Sequence, residues 1–157
     1  MLTQMPIRLH PRILLPLLLL LGASLACTLS RKPDPTSLES RLGNRLERAF
    51  DAEAQATDLW DRLLFGEVIS CGESLDSPPL FEMSPAEQEN EPMSVPVNNH
   101  LNTALLSLQH SAQLWDQECQ SSEGQVSLNV IRAAENDLET ARTHLSQAAE
   151  AWYVWQP

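Results

Sequence analysis

Three stretches of this chain repeat apolar residues at alternating steps of three and four. The first carries Leu38, Leu42, Leu46, Ala49/Phe50, Ala56, Leu59/Trp60 and Leu63. The second carries Val97, Leu101, Ala104/Leu105, Leu108, Ala112, Trp115 and Cys119. The third carries Val126, Val130/Ile131, Ala134, Leu138, Ala141, Leu145, Ala148/Ala149 and Trp152. This spacing puts each set on one face of an α-helix, with charged residues mostly on the other. A helix with a single apolar stripe has to bury it against a neighbour. The expected fold is therefore all-α: a three-helix bundle over residues 36–155.

Local signals set the expected boundaries. Thr36 with Glu39 three residues later forms a capping box that opens helix 1. That helix is expected over about 36–71, with Gly72 as a left-handed stop and Gly66 as the other candidate stop. Helix 2 is expected over about 97–120 and helix 3 over about 123–153, opened by Ser122 and Gln125. Residues 73–96 contain Pro78, Pro79, Pro85, Pro92 and Pro96 among acids and serines. They read as a long irregular, Pro-rich acidic loop. Such a loop inside a compact domain calls for a crossover or a function.

The N-terminus carries a second kind of signal. Arg8 and Arg12 precede an apolar run from Ile13 to Ala26, and no acid occurs before Asp34. That run is shorter than the roughly 20 apolar residues of a membrane span. It has the layout of a secretory signal peptide over residues 1–26. Ser24 and Ala26 put small residues at −3 and −1 of a cut before Cys27, as general signal peptidase prefers. Ala23-Ser24-Leu25-Ala26-Cys27 also resembles the lipobox of bacterial lipoproteins, although Ser24 stands where that family usually has Leu. The resemblance implies lipidation of Cys27, which would become the new N-terminus. Residues 27–35, with Pro33 and Pro35, would then be a lipid-anchored tether. Several acyl chains on one residue hold a protein stably on a bilayer. The resemblance covers the first 27 residues and carries no fold for the rest.

Cys27, Cys71 and Cys119 are the three cysteines. If Cys27 takes lipid in an oxidising compartment, Cys71 and Cys119 remain as a disulfide pair. Bridged cysteines have Cα atoms within roughly 7 Å. The ends of helices 1 and 2 would then meet, the two helices would run parallel, and residues 73–96 would be the crossover between them. Free, buried thiols are the alternative, and they would permit an ordinary up-down-up bundle.

Charge narrows the partners. The chain has 10 basic and 21 acidic residues, a formal net charge of −11. No Lys or Arg occurs between Arg62 and Arg132. Nucleic-acid binding is not expected, because phosphate contacts need clustered cations. His100, His110 and His144 lie off the predicted stripes, so no metal or haem site in the bundle core is expected. No catalytic residue and no cofactor are predicted. Leu59-Trp60-Asp61 and Leu114-Trp115-Asp116 repeat a tripeptide, read as core aromatics followed by solvated carboxylates. Trp152, Tyr153 and Trp155 at the C-terminus are the candidate interface residues.

The expected role is non-enzymatic. The chain reads as a small cell-envelope lipoprotein, held on a membrane through its N-terminal lipid and contacting a protein partner. The alternative is a secreted or anchored helical carrier that binds a small ligand between its helices.

Overall fold

The computed structural model describes residues 34–121 and 126–156. The expected signal peptide, Cys27, most of the expected tether and the expected Ser122–Gln125 capping box lie outside the described residues. Residues 36–157 form one compact unit. Among the described residues the protein is all-helical, with four helices and no strand: α1 (Leu38–Leu64), α2 (Pro85–Asn90), α3 (Ser94–Ser121) and α4 (Leu128–Trp155).

Helix α1 begins one residue later than the predicted box. Ser37 has an extended backbone and accepts a hydrogen bond from the Ser40 N–H at 3.1 Å, so Ser37 rather than Thr36 is the cap. Glu39 still lies in the first turn, where the helix dipole favours an anion. The helix stops at Leu64, well short of Cys71. Gly66 has φ +82°, its N–H donates to the Leu63 carbonyl, and the Glu67 N–H donates to the Arg62 carbonyl. These two bonds around a left-handed glycine are the Schellman stop, which satisfies carbonyls the helix would leave unpaired. Gly66 therefore ends the helix and Gly72 does not. The buried face of α1 is Leu42, Leu46, Ala49, Ala52, Ala56, Leu59 and Trp60. Phe50, placed on the stripe from sequence, is 40% exposed.

The segment after α1 is not irregular throughout. Ser84 caps α2 and closes a capping box with Glu87, and Pro85 takes the first helical position, where its missing N–H costs nothing. The remainder of the segment is fastened along α3 in reverse order. Trp115 Nε1 donates to the Glu73 carbonyl at 2.6 Å, and Gln109 Nε2 donates to the Pro78 carbonyl at 2.9 Å. The Asn102 amide accepts from the Phe81 N–H and donates to the Phe81 carbonyl. Gln55 and Arg41 attach the same segment to α1. Gln55 donates to the Ser74 carbonyl and accepts from the Asp76 N–H. Arg41 lies over the Phe81 ring and pairs with Glu87 at 2.8 Å. Ile69 and Phe81 join the core.

Helix α3 starts at Ser94, ahead of Pro96. Pro96 falls in the first turn, whose N–H groups have no partner inside the helix, so it is tolerated there. Helix α4 starts at Leu128 behind the cap Ser127, which accepts from the Val130 N–H. Its buried residues are Ile131, Ala134, Leu138, Ala141, Leu145 and Ala148. Large and small side chains alternate along that face at steps of three and four, so α4 packs closely on its neighbours.

Cross-helix pairs give the directions. His110–Asp137 and His100–His144 run antiparallel between α3 and α4. Arg142–Glu53 and the Trp152 ring over Gly43 run antiparallel between α1 and α4. A Cβ at position 43 would stand 3.0 Å from the Trp152 ring, which is why glycine suits this point of α1. Between α1 and α3 the central tie is Trp60 Nε1 donating to Ser111 Oγ at 2.9 Å, both residues 0% exposed.

That tie generates a prediction. Trp60→Phe leaves the Ser111 hydroxyl buried without its partner and is expected to cost about 1–3 kcal/mol. Adding Ser111→Ala to it is expected to recover part of the loss in a double-mutant denaturation cycle; strict additivity would show that the bond is not coupled. A second prediction concerns α2. The Ser84 N–H, the Ser84 hydroxyl and Arg41 hold the Glu87 carboxyl below the usual carboxylate range. Its contribution is present above the unfolded-state pKa and is lost as pH falls through the depressed folded value. Amide exchange at residues 84–90 is expected to rise on acidification, before the three long helices lose protection.

Candidate functional site at the two poles of the helices

The sequence-predicted site residues fall at opposite ends of the long helices. At one pole stand the start of α1, the start of α3 and the end of α4. Trp152 and Trp155 meet edge to face there with ring centres 5.1 Å apart. Both are half-buried against the core, and Trp155 Nε1 donates to Glu91 at 3.2 Å. Tyr153 projects outward at 83% exposure, with Val154 and Met93 also exposed. A shallow depression of about 450 Å³ lies beside them, lined by Leu38, Glu39, Glu91, Met93 and Trp155. Of the three candidate interface residues, two thus serve partly as a lid on the core, and Tyr153 alone is free of it.

At the other pole the sulfurs of Cys71 and Cys119 are at disulfide distance, with Cα atoms 5.4 Å apart. Neither cysteine ends α1, as the sequence reading placed Cys71. Cys71 sits seven residues beyond Leu64, in the turn that follows the helix, while Cys119 lies in the last turn of α3. Trp60 and Trp115 stand just inside this pole, edge to face at 6.2 Å. Both are buried, whereas Asp61 and Asp116 are exposed, as the repeated tripeptide implied for core aromatics.

Arg62 organises the surface of this pole. It pairs with Glu73 at 2.9 Å, Glu67 at 3.1 Å and Asp58 at 3.3 Å. The hydrogen bonds it donates to these carboxylates, Glu67 first, hold the guanidinium protonated still more firmly than usual. Between the helix stop and the bridge, Phe65 and Val68 are 87% and 86% exposed. Sequence reasoning missed both. Their signal was Gly66: once the helix stops there, neither side chain can belong to the buried stripe.

The histidines flank the α3–α4 seam. His100 and His144 bring their Nδ1 atoms to 3.2 Å, and His110 contacts Asp137 at 2.6 Å. Among the described residues no group of three His, Cys, Asp or Glu side chains is placed to hold a metal ion. Among the same residues no helix is long and apolar enough to cross a membrane. No protein-family model, curated protein or solved structure matches this chain.

The bridge closes a separation of 48 residues. In the chain-entropy treatment of cross-links, a loop of that length is worth ~4 kcal/mol. Reduction, or Cys71→Ser with Cys119→Ser, is expected to lower the melting midpoint accordingly. An unchanged midpoint under strong reductant would count against the bridge.

Proposed function

We propose that this chain is a non-enzymatic envelope lipoprotein that acts as a small protein-interaction module. In this reading its scaffold is a three-helix bundle, with residues 65–93 as the crossover between two parallel helices. The observation that carries the proposal is the contrast between interior and ends. The interior positions are filled by side chains that are 0–8% exposed, whereas both poles present large apolar side chains to water. A carrier needs a reachable apolar cavity between helices; an interaction module needs apolar side chains held outside a filled core.

The position of the poles supports the anchor. The chain enters α1 at Leu38, beside Trp155 and Met93. A lipid on Cys27 and a tether of residues 27–35 would bring the Trp152–Trp155 pole toward the bilayer. Tyr and Trp, apolar with one polar atom, suit a membrane–water boundary. The Phe65–Val68 pole would then face away from the membrane.

Cys27→Ala tests the anchor. The variant is expected to leave the membrane fraction and appear in the soluble fraction, while keeping the melting behaviour of the unmodified protein. Continued membrane association of the variant would remove the lipid from the proposal.

A further inference from the structure

We infer that the pole formed by residues 64–73 and the last turn of α3 is a docking surface for a basic protein partner, into which Phe65 and Val68 insert. The inference rests on the reading of the chain as an interaction module, and not on its lipid anchor.

Single exposed apolar side chains are ordinary on protein surfaces. Three features set this pair apart. The first is exposure: Phe65 and Val68, three residues apart, are both more than four-fifths open to water, with Leu64 beside them at 43%. The second is preorganisation. The turn that carries them is closed by the Schellman bonds at Gly66 and bridged from Cys71 to Cys119. It is also clamped by Arg62 through Glu67 and Glu73. An exposed ion pair adds little to global stability. Several constraints on one short turn do something else: they remove the entropy that a loop would lose on binding. A turn fixed this firmly, with its apolar side chains outward, is prepared to bind before any partner arrives.

The third feature is charge, and it selects the partner. Asp58, Asp61, Glu67, Glu73, Asp116 and Glu118 surround the pole. Among the described residues 58–73 and 112–121 Arg62 is the only Lys or Arg, and its guanidinium is already shared among three carboxylates. A second copy of the chain would bring one acidic rim against another, and like charges oppose such a contact. An anionic lipid surface is disfavoured for the same reason. A protein with an apolar pocket rimmed by Lys and Arg is complementary in both respects.

The test is photo-crosslinking in the producing cells, using the full chain with a photoreactive phenylalanine analogue at position 65 or 68. Positions 106 and 153 serve as controls, since Leu106 and Tyr153 are exposed apolar residues elsewhere on the surface. The expected result is a discrete heteromeric adduct from 65 and 68 and none from 106. The crosslinked partner peptide is expected to carry a net positive charge. Asp61→Lys with Asp116→Lys, both on exposed helix positions, is expected to weaken that adduct about tenfold. A melting curve confirms that this variant is folded, and the charge of the crosslinked peptide stands as a readout independent of it.

The docking surface is overturned by an adduct to a second copy, to lipid or to a neutral or acidic peptide. An adduct that charge reversal leaves unchanged overturns it as well. An adduct from 106 or 153 with none from 65 or 68 overturns this pole while leaving the interaction module standing. No adduct from any of the four positions takes down both, and the Cys27→Ala fractionation reports on the anchor separately.

Discussion

The junction of α1 and α3 depends on two buried indoles. Trp60 reaches from α1 to Ser111 on α3, and Trp115 reaches from α3 to the carbonyl of Glu73 in the segment that leaves α1. Their rings meet edge to face. An indole inside a protein needs a partner for its N–H. Here each partner belongs to another part of the chain, so burial of the two rings also fixes register. The Cys71–Cys119 pair lies on the same side of this junction and locks what the rings align. In the proposed bundle α1 and α3 are parallel neighbours, which cannot be joined by a tight turn, so the chain would travel the length of α3 before starting that helix. In that proposed bundle the proline-rich segment is the physical consequence of the alignment.

Why that segment stays attached is a matter of polar bookkeeping. Prolines remove donors and interrupt helix, so its carbonyls have no ladder to join. Side chains of α3 and α1 supply the missing partners: Trp115, Gln109, Asn102 and Gln55 each satisfy backbone groups of the segment. Phe81 and Ile69 add the apolar contacts that hold it against the core. The acids of the segment remain outside. Arg41 and Arg62 of α1 pair with Glu87 and with the Glu67–Glu73 turn. An acid-rich stretch without a Lys or Arg of its own is thereby tied down at two points and solvated elsewhere.

The helical stripes were legible because burial follows a single period that local sequence cannot disguise. Leu42, Leu46, Leu101, Leu108, Leu138 and Leu145 all occupy core positions read from spacing alone. Helix ends were less legible, since more than one signal competed at each. Two hydroxyls precede Glu39, and the backbone conformation of Ser37 selects it over Thr36. Two glycines follow α1, and the one nearer the last stripe residue takes the left-handed turn. Pro85 was read as a breaker, although Ser84 and Glu87 around it are a helix start. Phe50 shares its step of the stripe with Ala49, and only Ala49 of that pair turns to the core, whereas at the Leu59/Trp60 step both residues are buried. The candidate site was legible in part: the tryptophans and cysteines stood out by type, whereas Phe65 and Val68 acquire meaning only after Gly66 has ended the helix.

The two poles differ in what holds their apolar residues, and that difference supports the separate roles proposed for them. At the Trp152–Trp155 end the aromatics double as closure for the core. Trp152 lies on Gly43, and Trp155 on Trp152. Removing them would disturb the fold before it disturbed any contact with the outside. At the Phe65–Val68 end the side chains contribute almost nothing to burial, and the structure around them is braced independently by Arg62, Gly66 and the cysteine pair. A residue that the core does not need, held on a turn that Ile69 anchors in the core and that Gly66 and the cysteine pair fix, is free to be specified by something outside the molecule. The α1 helix of 27 residues sets these ends about 40 Å apart. A molecule with one end available to a boundary and the other to a partner can serve both without the two contacts competing for the same surface.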